Sequence, residues 1–195
     1  AGRDERFKQA LDQGHSAAWD QDWARAASYY KQALDEIPDN LTALTSMGLA
    51  LHEMRDYREA LAYYSRAAQL TEEDPVPFEK KAIIHEQLGE KPQAVRFAIQ
   101  AAELYLGRRD VSKAIENWTR AVIIHPENKR AHARLAVVYE KMGQKEKAVS
   151  EYIHVASLFQ HEDKHDQALE ALERALNFAP GNLQARKALK TLQDG

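Results

Sequence analysis

The feature that most constrains the fold is a small set of residues repeated at two fixed steps. Following Ala-x3-aromatic-x2-Ala along the chain gives Ala26, Tyr30 and Ala33, then Ala60, Tyr64 and Ala67 after 34 residues, then Ala94, Ala98 and Ala101 after another 34. The step falls to 20 for Ala114, Trp118 and Ala121, returns to 34 for Ala148, Tyr152 and Val155, and falls to 20 again for Ala168, Leu172 and Ala175. A second marker, the small residue at Gly14, Gly48, Ala82, Ala102, Ala136 and Ala156, keeps the same irregular rhythm. Repeats of this length describe units that cannot bury an apolar face alone and do so by stacking on their neighbours.

Residues 41–74 show the unit most clearly. Two apolar periodic segments, 41–54 and 57–70, are separated by Arg55-Asp56, and Asp56 is placed to cap the second helix. Gly48 lets the partner helix approach closely where Ala60 faces it, and Tyr64 and Leu51 fill the seam. On these residues the chain resembles the tetratricopeptide repeat family, whose unit is a 34-residue helix-turn-helix. The resemblance covers residues 7–182 and implies an all-α, right-handed α-solenoid of antiparallel hairpins. One domain is expected over 1–195, with repeats at 7–40, 41–74, 75–108 (overlapping 95–128) and 129–162 (overlapping 149–182).

A hairpin needs two helices, and a 20-residue step holds only one, so one helix must serve two repeats. Segment 92–106 carries second-helix markers at Ala94, Ala98 and Ala101 and first-helix markers at Ala102 and Tyr105. Segment 145–160 does the same with Ala148 and Tyr152 in one role and Ala156 and Phe159 in the other. The stretches 94–128 and 148–182 share eleven identities over 35 residues, so a 54-residue, three-helix unit occurs twice. Eleven helices and no strands are expected. Asp74-Pro75-Val76-Pro77 reads as an extended lead-in, Pro92 as a first-turn proline, and 182–193 as a capping helix that packs through Leu183, Ala185, Ala188, Leu189 and Leu192.

Composition agrees: 44% hydrophobic and 29% charged residues with a mean hydropathy of -0.63 describe a folded chain with many solvated helix faces. No apolar run is long enough for a membrane span, and the first residues lack the apolar core of a signal peptide. The chain does not begin with Met, so Ala1-Gly2 is expected to be a cloning scar and the chain a fragment. Zero cysteines exclude disulfides and thiol chemistry and fit any compartment; a cytoplasmic location is favoured. The net charge of -3 hides an asymmetry, with 10 basic against 17 acidic residues in 1–90 and 17 against 13 in 91–195. That pattern reads as solvated helix faces, as head-to-tail attraction between molecules, or as a site for an acidic partner at the C-terminal half.

Catalytic motifs are nearly absent. His161-Glu162-Asp163-Lys164-His165 matches the H-E-x-x-H zinc signature in letters, but that chemistry needs both histidines one turn apart on one helix. Aligning the repeats sets these five residues opposite Gly107-Arg108-Arg109-Asp110-Val111, a turn between antiparallel helices. There is no Gly-rich phosphate loop and no nucleophile elbow. Neither an enzyme nor a metal or cofactor is expected, and the scattered basic residues do not make the stripe that nucleic-acid binding wants.

What the resemblance implies about function is a concave groove that receives a peptide or helix of another protein. Some co-chaperones of the family grip an acidic chaperone C-terminus through Lys, Asn and Arg at positions that correspond to Leu11, His15, Ser46, Val76 and Lys80; only Lys80 keeps its charge, so that role is not expected here. Groove candidates are Lys8, Leu11, His15 and Trp19, then Thr45, Leu49, His52 and Glu53, then Lys80, Ile83 and Gln87. Further along, Arg130, Arg134 and Lys141 suit acidic groups. Trp19 is expected on the groove side, whereas Trp23 and Trp118 fall at packing positions. The leading expectation is a non-catalytic adaptor or scaffold, with a self-association module or a regulatory domain of a larger protein as alternatives.

Overall fold

The computed structural model describes residues 2–194 and, among them, eleven α-helices and no strand. They are α1 (Arg3–Trp19), α2 (Trp23–Glu36), α3 (Leu41–Glu53), α4 (Tyr57–Leu70), α5 (Pro75–Gln87), α6 (Lys91–Gly107), α7 (Val111–Ile124), α8 (Lys129–Lys141), α9 (Lys145–Gln160), α10 (His165–Phe178) and α11 (Leu183–Asp194).

The repeated small residues are where helices cross. Ala26, Ala60, Ala94, Ala114, Ala148 and Ala168 are all fully buried, and so are Ala82, Ala102 and Ala136. The close approach at the glycines is onto an aromatic ring: a Cβ at Gly14 would lie 2.4 Å from the Tyr30 ring, and one at Gly48 would lie 2.9 Å from that of Tyr64. Tyr30 and Tyr64 are themselves buried, so the ring occupies the space that a larger residue on the first helix would need.

The turns within hairpins share one geometry. Gln21, Arg55, Gly89, Arg109, Gly143 and Asp163 all have φ between 57° and 73°. After each, an N–H bonds back to a carbonyl five residues earlier: Asp22 to Ala17 (2.9 Å), Asp56 to Leu51 (2.8 Å), Glu90 to His85 (2.8 Å), Asp110 to Tyr105 (2.9 Å), Gln144 to Tyr139 (2.9 Å) and Lys164 to Phe159 (2.9 Å). This is the Schellman closure, which satisfies the orphan carbonyls at a helix end through one left-handed residue. These six positions keep the same 34 and 20 steps, although only Gly89 and Gly143 announce themselves by residue type.

Helix starts follow capping chemistry. Asn40, Asn128 and Asn182 each accept from the backbone N–H three residues on at 2.9 Å, and Asp22 and Asp110 do so at 3.1 Å. Asp56 holds the N-cap position of α4, but its side chain makes no capping bond. The extended lead-in expected at residues 74–77 is instead helix. Asp74 is the N-cap, its carboxylate accepts from Val76 N–H at 3.1 Å, and Pro75 and Pro77 lie in the first turn. The first N–H groups of a helix have no intrahelical acceptor, so prolines there lose no bond. Leu183, expected to pack, is 77% exposed: the Asn182 cap sets a register that turns Ala185 inward, and two residues back points to the opposite side.

The chain falls into two compact units, residues 1–104 and 105–195, with the boundary inside the continuous helix α6. In the first, α1 packs on α2, α2 on α3, α3 on α4 and α4 on α5 around a core that runs from Ala10 to Ile84. Arg6 clamps the end of α2 with a bidentate pair to Glu36 (2.6 and 2.9 Å). In the second, α9 packs against both α8 and α10, as the doubled markers require. Val149 and Tyr152 join Ala136 in one buried cluster, and Ala156 joins Ala168 and Leu172 in another. Ala188, Leu189 and Leu192 of α11 close that second cluster, while Lys187 and Lys190 face water. No helix intervenes between Gly107 and Val111.

The left-handed turn positions make a stability prediction. Arg55→Gly and Arg109→Gly should each stabilise the fold by about 0.5–1 kcal/mol, because relief of the Cβ clash outweighs the added chain entropy, and Gly89→Ala should destabilise it by a similar amount. Urea titrations followed by circular dichroism measure all three.

Candidate partner-binding surfaces

In the first unit, hydrogen bonds join the first helices of successive hairpins along one face. His15 Nε2 on α1 lies 3.4 Å from Ser46 Oγ on α3, and His52 Nε2 on α3 donates to Gln87 Oε1 on α5 at 2.9 Å. His52 Nδ1 is 3.3 Å from Glu53 Oε1, and its ring meets Tyr57 with centroids 5.6 Å apart. The structure therefore brings His52, Glu53 and Gln87 into one polar cluster. Lys8, His15, Glu53 and Gln87 are exposed, while Leu11, Thr45, His52, Lys80 and Ile83 are half-buried. The Thr45 hydroxyl donates back to Leu41 O at 2.9 Å, so its proton is committed within α3.

Apolar groups accompany these polar ones. Trp19, on the last turn of α1, is 88% exposed, and Leu49 on α3 is 36% exposed. Trp118 is fully buried, and Trp23 packs half-buried against the core, as their positions in the repeat require.

In the second unit Arg130, Arg134 and Lys141 are exposed on α8. The H-E-x-x-H stretch is a turn: α9 stops at Gln160, α10 begins at His165, and Asp163 takes φ 57° between them. His161 and His165 thus sit on two different helix ends. Glu162 is committed to two cations, with Lys164 Nζ at 2.8 Å and Lys129 in a shorter contact, and hydrogen bonds from Lys129 and Lys164 pull its carboxyl down to about 2. Among the described residues no group of three or more His, Cys, Asp or Glu could hold a metal ion.

A cluster that residue spacing does not reveal lies where α8 meets α9. His132 is buried, with Nδ1 2.6 Å from Glu151 Oε2 and Nε2 2.8 Å from the Pro126 carbonyl. His154 Nε2 approaches the same carbonyl at 3.3 Å, and the two imidazoles lie 4.2 Å apart. Acceptors on both ring nitrogens suit an imidazolium, which donates from both. Burial pulls the His132 pKa down, but Glu151 and the Pro126 carbonyl outweigh it, and the net shift is upward. Nearby, Tyr152 donates to Glu140, and burial together with that bond pushes the phenol well above its usual range.

Paired helices crossing on small residues, closed by repeated Schellman turns and exposing one face of their first helices, define a helical-repeat interaction protein. The tetratricopeptide repeat family model matches residues 11–75 and 99–156, and the chain belongs to that family. Over 118 residues it is 30% identical to the photosystem I assembly protein Ycf3 of Rippkaea orientalis, and equally to that of Synechococcus elongatus, covering 59% of this chain. The chain spans 65% of the length of those relatives. Among solved structures, the TPR2B domain of yeast Sti1 in complex with pHsp70 is similar in fold, with a TM-score of 0.58 at 17% identity over 64% of this chain and 99% of that one. Among the described residues no helix is long and apolar enough to cross a membrane.

The His132 geometry predicts a pH dependence. A folded pKa above the unfolded value of about 6.5 gives stability that is complete below that pH and is lost as pH rises through the folded pKa. His132 should titrate above about 6.5 in an NMR pH series. His132→Gln should flatten the pH dependence of unfolding in the second unit.

Proposed function

We propose that the chain is a non-catalytic adaptor that receives a peptide or helical segment of another protein on the face formed by α1, α3 and α5. The observation that carries this reading is the exposure of Trp19 on α1 and of Leu49 on α3, the helix that also carries His52 and Glu53 of the hydrogen-bonding cluster with Gln87. Large apolar side chains held in water on rigid helices supply anchoring area, and adjacent polar groups fix the register of what binds. Lys8, Leu11, His15, Thr45, Lys80 and Ile83 complete the face, and Arg130, Arg134 and Lys141 on α8 extend the same use to acidic groups. The relation to photosystem I assembly proteins supports a role in bringing other proteins together.

The proposed surface predicts separate effects on binding and folding. In affinity capture read by mass spectrometry, Trp19→Ala and Leu49→Ala should each reduce recovery of the partner, with affinity falling by roughly 30-fold for a hot-spot position. Helical content and melting temperature should stay near those of the unaltered chain, because neither side chain is buried. Recovery unchanged in both variants would remove this face from consideration.

A further inference from the structure

A seam position in the first unit breaks the packing rule of the repeats. In α3 and α8, each packed against the helix before it, the residue preceding the small marker is buried and apolar, Met47 and Leu135. In α5 the same position, before Ala82, is Lys81, which is half-buried. Its ammonium lies over the buried ring of Phe97 on α6, with Nζ 4.1 Å from the centroid, and the guanidinium of Arg96 stands 4.8 Å from the same centroid. Arg96 is exposed and is itself a departure: two residues after the alanine marker, other second helices carry neutral or acidic residues such as Ser28, Ala62 and Glu116. An ammonium set where a methionine or leucine packs loses hydration, and breaks of a local packing rule concentrate at functional sites.

Among the described residues neither cation has a carboxylate partner. A carboxylate in reach would hold the Lys81 ammonium up, but burial and, after it, the positive charge of Arg96 push its pKa below the usual range. The two carboxylates of α5, Glu79 and Glu86, stand two and five residues from Lys81, off the three- and four-residue spacing that brings side chains together. The residues at that spacing from Arg96 are Pro92, Gln93, Ile99 and Gln100. Glu90, beyond the end of α5, is bound by His85 Nδ1 at 2.5 Å and by Arg58 at 2.6 Å. Two unneutralised charges at one ring suit a dianion, and a planar guanidinium fork beside a point-charge ammonium matches phosphoryl oxygens. We propose that Lys81 and Arg96 form a binding site for a phosphate monoester dianion. The site is separate from the α1–α3–α5 face, because Lys81 is turned about 100° around α5 from Lys80.

The experiment is an NMR titration of the full chain at neutral pH with two phosphate monoesters, each against sodium chloride at matched ionic strength. One is a blocked Ala-phosphoserine-Ala peptide and the other is glycerol 3-phosphate; the tighter of the two tells a modified side chain from a free small molecule as the source. Saturable shifts should appear at the Arg96 Nε–H and at the backbone amides of Lys81 and Phe97. Lys81→Met, which matches Met47, and Arg96→Gln should each weaken the tighter probe by about 10-fold or more. Lys91→Gln, at an exposed lysine of the same helix, should leave it unchanged. A blocked Ala-Glu-Ala peptide should bind about 10-fold more weakly than its phosphoserine counterpart. If Lys81→Met loses helical content, Arg96→Gln decides alone, because its side chain is exposed. No saturable shift, equal affinity for the glutamate peptide, or an equal loss in Lys91→Gln would overturn the proposal. Leu49→Ala keeps failure here distinct from failure of the adaptor reading, since it should leave probe binding unchanged while reducing capture of a partner.

Discussion

Everything in this structure depends on how closely two helices can approach at the point where they cross. Alanine at six second-helix positions and glycine or alanine at six first-helix positions remove side-chain bulk there, and at Gly14 and Gly48 a tyrosine ring of the second helix fills the space they leave. At Gly14 the Tyr30 ring already occupies the site of a Cβ. The seam fixes which face of each helix is buried, and the tight left-handed turn fixes the distance along the chain between the two faces. A repeated seam with a repeated turn leaves the opposite side of each first helix open to water. Trp19, Leu49 and Gln87 lie away from the seam and are exposed, whereas His52, one turn on from Gly48, is half-buried against Tyr57.

The second constraint is the double use of α9. A regular hairpin helix carries one set of small residues; α9 carries two, with Ala148 among the second-helix alanines and Ala156 in the cluster with Ala168 and Leu172. Both neighbours then compete for adjacent faces of one cylinder. The result is a three-helix packing in which α8 and α10 touch at a salt bridge between Glu140 and Arg174 and part over Tyr152 and Phe159. The same arrangement buries His132 against Glu151, tying the loop before α8 to α9.

Much of this was legible in the sequence because the signals were periodic. The 34 and 20 steps located the seams, the continuity of 92–106 and 145–160, and the turn at 161–165 that separates His161 from His165. The turn geometry was hidden because a left-handed residue is announced only when it is glycine: Gln21, Arg55, Arg109 and Asp163 adopt it with ordinary side chains, held by the bond that follows. Pro75 and Pro77 suggested an extended segment because proline is read as a helix breaker, whereas Asp74 capping makes the first turn available to both. Leu183 followed apolar composition rather than helical angle. The pairing of His132 with Glu151, 19 residues apart, and the cleft over α9 are products of tertiary packing, for which no local spacing rule exists.

The central claim is that α9 is one helix holding two repeats together. Native-state hydrogen exchange on a chain carrying Ala168→Val, which overpacks the α9–α10 crossing by about 1–3 kcal/mol, tests it most directly. A shared helix predicts that protection falls together in α8, α9 and α10, because loosening one seam loosens the helix on which the other is built. Loss of protection in α10 alone, with α8 and α9 unchanged, would contradict the account.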